Sequence, residues 1–325
     1  IEVRDRAGSF TSFNTFSGLY AFGPAAPNQL NGIEITATGG NNLVRTCLVG
    51  GNVGNGIHLG GRANGVQIED TSVGTNSEIS TALPNGGSGI LIDGRASNNA
   101  IGGFRPSIQL RVHVSGNQRY GIEIAGRAAN NRIFNTTVGA GFVPGQAIPN
   151  QLGGILVAAG TTGTQIGGTQ PFMGNAVLSN KGVGIAITSS SGNSVLANRV
   201  EGNTDGGIVL NAVRNTRIGS LGGGGNTVLE NAVNGIYVAG NSAGTTIVAN
   251  SVTGSGSNGL LINAATNLVV GGMISGEGNT IVMSTGYGVL GLGTCTKTKV
   301  IRNTLRENAA GAVNFSLSSG ITYVP

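Results

Sequence analysis

Tryptophan is absent from the 325 residues, cysteine occurs twice, lysine three times, and charged residues make up only 10% of the chain. The low charge and the modest net +5 leave no Lys/Arg-rich run with interleaved aromatics, so nucleic acid is not an expected partner. No apolar run approaches the roughly 20 residues that cross a bilayer, so no transmembrane segment is expected. Proline occurs eight times and glycine follows no three-residue period, which excludes collagen. Disorder is excluded from the other side, because 39% of the residues are hydrophobic and recur at regular spacing. The chain opens at Ile1 with neither methionine nor a signal peptide, as expected of a mature product or of a segment of something larger.

What is abundant is glycine, at 60 residues, and it comes in a pattern. Gly182 to Leu210 reads GVGIAITSSSGNSVLANRVEGNTDGGIVL, one lap that opens on Gly-Ile-Ala-Ile and closes on Gly-Ile-Val-Leu. The anchor recurs at Ile33, Ile57, Ile90, Ile122, Ile155, Ile185, Ile208, Ile236, Leu260, Val289 and Val313, at intervals of 23 to 33 residues. Within a lap, apolar and small or polar residues alternate over three to five positions, the period of a strand. Gly or Asn marks each corner, as at Gly192-Asn193, Asn198 and Gly202-Asn203. Three short strands per lap make one coil of a parallel β-helix, an all-β solenoid of about eleven coils. One coil cannot bury its inward residues alone, whereas stacking makes a continuous apolar column. Cys47 and Cys295 then fall some nine coils apart, roughly 40 Å at strand spacing, too far to bridge.

Two further regularities refine this picture. Ile101-Gly102-Gly103, Ile166-Gly167-Gly168, Ile218-Gly219-Ser220 and Val270-Gly271-Gly272 recur at 65, 52 and 52 residues, so long and short coils alternate. The units with Pro84-Asn85 and Pro149-Asn150 carry extra residues, Gly74 to Gly89 and Gly139 to Gly154, expected as loops on one corner two coils apart. Asn198, Asn250 and Asn303, with Thr46, Thr71 and Thr136 upstream, are expected to form a hydrogen-bonded ladder. Residues 1–30, with Phe10, Phe13, Phe16 and Phe22, are expected as an irregular first coil or cap, and residues 31–325 as a single domain.

Segments such as VGTNSEISTALPNGGSGILIDGRASNNAIGG and GNTVLENAVNGIYVAG resemble the right-handed β-helix repeats of bacterial secreted and cell-surface proteins. The resemblance covers about residues 28 to 315 and rests on the Ile-Gly-Gly, Gly-Asn-x-Val-x-x-Asn and Leu-Pro-Asn elements. It implies a right-handed coil, as in pectate-lyase-like folds, and an extracellular or cell-surface location. The wider fold houses large surface proteins, pectin-degrading enzymes and phage tailspikes, so it does not fix a function.

Catalytic sets are missing. Asn203-Thr204-Asp205 matches the first element of polygalacturonase-like hydrolases, but the chain has no Asp-Asp pair and no Gly-His-Gly, and a corner turn explains the tripeptide. Glu69-Asp70 is the only adjacent acid pair; no metal or other cofactor is expected. The two histidines lie in Ile-His58-Leu and Val-His113-Val. Glu34, His58, Leu91 and Glu123 are expected on one solvated face.

The reading is therefore a structural or adhesive extracellular protein that self-associates or contacts surface glycans, without catalysis. The alternatives are a glycan-binding module, or a polysaccharide lyase or glycoside hydrolase, which an outward cleft with two carboxylates and arginine would favour. Arg62, Arg95 and Arg127 share a corner of three successive coils and form a candidate strip for an acidic glycan or lipid headgroup, unless Asp93 serves as a local partner. The outward position of the anchor strand is apolar at Leu156, Ala186, Val209, Tyr237, Leu261 and Leu290. With Phe134, Leu196, Val248 and Ile301 on the neighbouring strand, it forms a candidate face for assembly with a second copy.

Overall fold

The computed structural model describes residues 28–325 except 37 and 106–107, with backbone alone for 104–105 and 108–110, and the backbone of strands at 2–3, 15–17 and 20–21. Of the expected first coil or cap, Phe10, Phe13 and Phe22 lie outside the described residues, and the strand backbones at 2–3, 15–17 and 20–21 pair with the coil that follows. Every described element is a strand. One lap runs Val183–Thr188 on a first face, Ser194–Leu196 on a second, and Arg199–Glu201 on a third, then returns at Gly206–Asn211 one coil on. Like strands pair in parallel along the whole column. The third face is an 11-stranded sheet. The first two faces join into one sheet because the strands Tyr287–Ile301 and Gly311–Val324 run across the corner between them.

The register places the anchors in one stack. Ile33 pairs with Ile57, then Ile90, Ile122, Ile155, Ile185, Ile208, Ile236, Leu260 and Val289, and none is more than 1% exposed. Apolar area removed from water at about 25 cal/mol per Å² is the main stabilising contribution. Cys47 and Cys295 are both buried and are not bridged to each other.

The corners are built from asparagine. Between the third and first faces, Asn28, Asn52, Asn85, Asn117, Asn150, Asn180, Asn203 and Asn231 hand a side-chain hydrogen bond from coil to coil at 2.7–3.0 Å. Asn203 is thus a rung of a ladder, as the turn reading requires. A second ladder turns the second face into the third through Asn175, Asn198, Asn226, Asn250, Asn279 and Asn303. Thr136 extends this ladder upstream by one coil, whereas Val112 stands between it and Thr71, whose hydroxyl accepts only from the Cys47 N–H. Thr46 takes no part, because Cys47 holds the equivalent position and Thr46 Oγ1 donates instead to Asp70 Oδ2. At this corner Asp70, Asn135, Ala197, Ala249 and Arg302 take left-handed φ between 45° and 58°, which turns the chain in two residues.

The second face explains the alternation of long and short coils. Gly167 stands beside Leu196 and Gly271 beside Ile301. A Cβ at Gly167 (φ +81°) would sit 1.9 Å from the Leu196 carbonyl, and one at Gly219 (φ +80°) 2.1 Å from that of Val248. At these glycines the left-handed backbone carries the chain out of the coil. The large residues between glycine coils are consequently covered: Phe134, Val248 and Ile301 are 8%, 8% and 9% exposed. The sequence predicts them outward and free for contact, and the glycine-coil loops cover them instead. Leu196 alone of that set stays half-buried. An antiparallel hairpin, Gly103–Arg105 with Ile108–Leu110, also leaves this corner, and nothing in the repeat pattern marks it.

Candidate functional site

The two extra-residue segments are hairpin loops, closed by the bridges Thr75–Ala82 and Ala140–Ala147. They meet across the intervening coil, as expected of loops on one corner: the Phe142 N–H donates to the Ile79 carbonyl (3.0 Å) and Gln146 Nε2 to the Ser80 carbonyl (2.8 Å). Ile79 takes φ +51°, a costly geometry for a β-branched residue, and so presents its carbonyl to the second loop. Together the loops wall a cleft of about 730 Å³ over the third face.

The floor of the cleft is the outward position of that face. The register sets His113, Thr137, Ala176 and Arg199 one above another. Asp70, Arg111, Leu178 and Glu201 also line it, and Ile79, Phe142, Val143 and Gln146 close it from the loop side. Arg111 donates to Thr137 Oγ1 at 3.3 Å, and Arg199 is bound to Glu201. His113 is pushed down to about 4 by burial, with the Arg111 charge adding to the effect, so its imidazole is neutral at physiological pH. Its Nδ1 and the Gln146 Oε1 are buried without a hydrogen-bond partner. Buried orphan groups cost roughly 1–3 kcal/mol each; both atoms are closed off from solvent and lie beneath the surface of the cleft.

The carboxylates of the cleft do not make a hydrolytic pair. Asp70 and Glu201 lie four coils apart, about 19 Å at strand spacing, whereas glycosidase carboxyl pairs stand roughly 5–9.5 Å apart.

The other expected residues fall elsewhere. On the first face the outward stack reads Glu34, His58, Leu91, Glu123, Leu156, Ala186, Val209, Tyr237, Leu261 and Leu290, each half-buried by its neighbours. Its acidic end is less solvated than expected. His58 Nε2 pairs with Asp93 Oδ1 at 2.9 Å, and Ser88 donates to Glu123 at 2.6 Å. Burial alone would lower the His58 pKa, but the hydrogen bond and charge of Asp93, with Glu34, outweigh it and raise it. Arg62, Arg95 and Arg127 do share one corner and are exposed, with Asp93 turned to His58 rather than to Arg95. Glu69 is tied to Arg45 at 3.0 Å, and no cluster of three or more His, Cys, Asp or Glu residues able to hold a metal occurs among the described residues.

Residues 110–274 match the family described as the right-handed beta helix region. The chain belongs to the right-handed β-helix family. No curated protein matches the sequence. Solved β-helices similar to this one include the A-module of the Azotobacter vinelandii mannuronan C-5 epimerase AlgE6 (TM-score 0.64, 15% identity, 98% of this chain and 92% of that one). The periplasmic alginate epimerase AlgG gives a TM-score of 0.57 at 16% identity over 90% of this chain and 75% of its own. A PL6 family polysaccharide lyase of Pseudopedobacter saltans gives 0.50 at 13% over 96% and 86%. At these identities the likeness is one of fold: the neighbours of this β-helix are polysaccharide-active proteins built on the same coil.

His113, Arg111 and Arg199 are the site residues that sequence reasoning missed. Their signal is faint, since it needs the third-face register and the knowledge that both loops fold back over that face.

Proposed function

We propose that this protein is a glycan-binding β-helix acting outside the cytoplasm, whose third-face cleft holds a stretch of acidic polysaccharide. The observation that carries this reading is the pairing of Arg111 and neutral, unpartnered His113 on the floor with an apolar wall at Phe142, Val143 and Ile79. A uronate offers a carboxylate to the Arg111 guanidinium, hydroxyls to the polar floor, and an apolar ring face to Phe142. The alginate and mannuronan named for the neighbouring epimerases are acidic polymers, and the periplasmic location named for one of them supports the same compartment.

Binding without cleavage is the reading for the chemistry. Hydrolysis lacks a carboxylate pair at working distance. Elimination needs a base near the operating pH, and an imidazole with a pKa of about 4 is in the right protonation state but is too weakly basic to serve well. Titration calorimetry with alginate, polygalacturonate and neutral dextran oligomers tests the reading. The acidic oligomers bind the wild type, Arg111→Ala weakens them at least tenfold, and no unsaturated uronate accumulates. Equal affinity of the variant, or a preference for dextran, refutes it.

A second reading, lateral self-association, is favoured by the register that runs Leu156, Ala186, Val209, Tyr237, Leu261 and Leu290 into a stripe of roughly 24 Å. Leu196 lies on the second face, across the corner from it, and Val248 is covered and takes no part. Sedimentation of the wild type and of a Leu156→Ser/Tyr237→Ser/Leu261→Ser variant decides this. A wild type that stays monomeric at high concentration ends the idea.

A further inference from the structure

The corner between the first and second faces carries a second site, distinct from the cleft. Parallel bridges tie Asn64, Ser97, Ala129, Thr162, Ser191 and Arg214 into one line along the axis. Two residues before each, the successive coils place Arg62, Arg95, Arg127, Gly160, Ser189 and Ala212. The backbone holds the arginines in step, since the Arg95 N–H donates to Gly61 and the Arg127 N–H to Gly94, both at 2.7 Å. All three side chains are exposed. Like charges at about 4.8 Å spacing repel, and among the described residues no carboxylate forms an ion pair with them. Asp93, the nearest in sequence, is held by His58.

The line does not stop at Arg127. Where the arginine position becomes Gly160, Ser189 and Ala212, the small residues open a pocket of about 290 Å³, lined also by Thr161, Thr162, Ser191 and Arg214. Three cations in file thus lead into a recess of hydroxyls with a fourth cation, Arg214, at its end.

We propose that this corner binds a linear acidic polysaccharide lying parallel to the helix axis, its anionic groups against Arg62, Arg95 and Arg127 and one sugar in the Thr162–Ser191–Arg214 pocket. The site spans six coils, roughly 24 Å. A ladder with one cation per coil fits a polymer with regularly spaced charges, and the hydroxyl pocket fits a sugar. A membrane surface fits poorly, because the cations stand in single file along one corner rather than spread over a face. This site stands independently of the third-face cleft.

The test is affinity for dextran sulfate and polygalacturonate at several salt concentrations, with phosphatidylglycerol vesicles as a comparison. The triple variant Arg62→Ala/Arg95→Ala/Arg127→Ala is expected to lose at least tenfold in affinity and to show a shallower salt dependence. Arg214→Ala weakens the same binding, and every variant is compared in an Arg111→Ala background so that the cleft's own affinity for acidic polymers does not enter. Removing three exposed cations elsewhere, as Lys181→Ala/Arg217→Ala/Lys299→Ala, leaves the binding unchanged, which separates a site from general attraction to net charge. The proposal is overturned if the wild type binds neither polymer, if the two triple variants weaken binding equally, or if vesicles are bound and the polymers are not.

Discussion

Asp93 Oδ1 lies 2.9 Å from His58 Nε2 on the preceding coil, while Arg95, two residues along from Asp93, has no carboxylate partner among the described residues. One aspartate thereby fixes two properties of the surface: it makes a histidine more basic and leaves an arginine free.

The His58–Asp93 pair gives a stability that falls as pH rises. The folded pKa of His58 is raised above its ordinary 6.5, so the folded state binds the proton more tightly than the unfolded chain does. The contribution is complete below pH 6.5 and is lost as pH rises through the folded value. With both side chains partly exposed, at 17% and 37%, it amounts to about 1 kcal/mol or less. Urea unfolding between pH 5 and 9 is expected to show this decline in the wild type and its absence in Asp93→Asn.

His113 works in the opposite sense. Its folded pKa of about 4 lies below the ordinary 6.5, so between those values the unfolded chain binds the proton and the fold does not. Stability is complete above pH 6.5 and falls with acidification toward pH 4, by up to about 3 kcal/mol. Arg111, Arg199, Asp70 and Glu201 share the cleft, and Arg111 is the charge that deepens the depression. His113→Gln is expected to flatten this part of the stability profile. An unchanged slope would place the acid sensitivity elsewhere.

Asn203 accepts from the Asn180 side chain, and its Nδ2 donates to Asn231 Oδ1 and to the Val177 carbonyl. Asn203→Ala strips partners from buried groups on both adjoining coils and is expected to cost about 1–3 kcal/mol. Asn241→Ala, at an exposed corner position, is expected to cost less. Denaturant midpoints of the two variants make the comparison.

The column was readable in the sequence because period and chemistry coincide there. Ile57, Ile90 and Ile122 follow glycine at near-constant intervals, and a side-chain period of two leaves only one register that buries them. The outward stack from Glu34 to Leu290 follows from the same register. Half of the second ladder was readable as well, but Asn175, Asn226 and Asn279 lie behind the glycine-rich loops of the long coils, where spacing in sequence no longer measures position in space. The burial of Phe134, Val248 and Ile301 was hidden for the same reason. The cleft was the least legible feature. His113 sits in a Val-His-Val strand like any other, and only the return of Phe142 and Gln146 over the third face gives it a functional setting.

The central claim places an acidic sugar against His113. With two histidines in the chain, the imidazole resonances can be followed by NMR through a pH titration with and without alginate oligomers. A carboxylate bound to Arg111 offsets the charge that helps hold His113 down, so the His113 pKa is predicted to rise from about 4 when the oligomer is present, while His58 on the first face titrates unchanged. Saturating oligomer that leaves the His113 titration where it was would contradict the account.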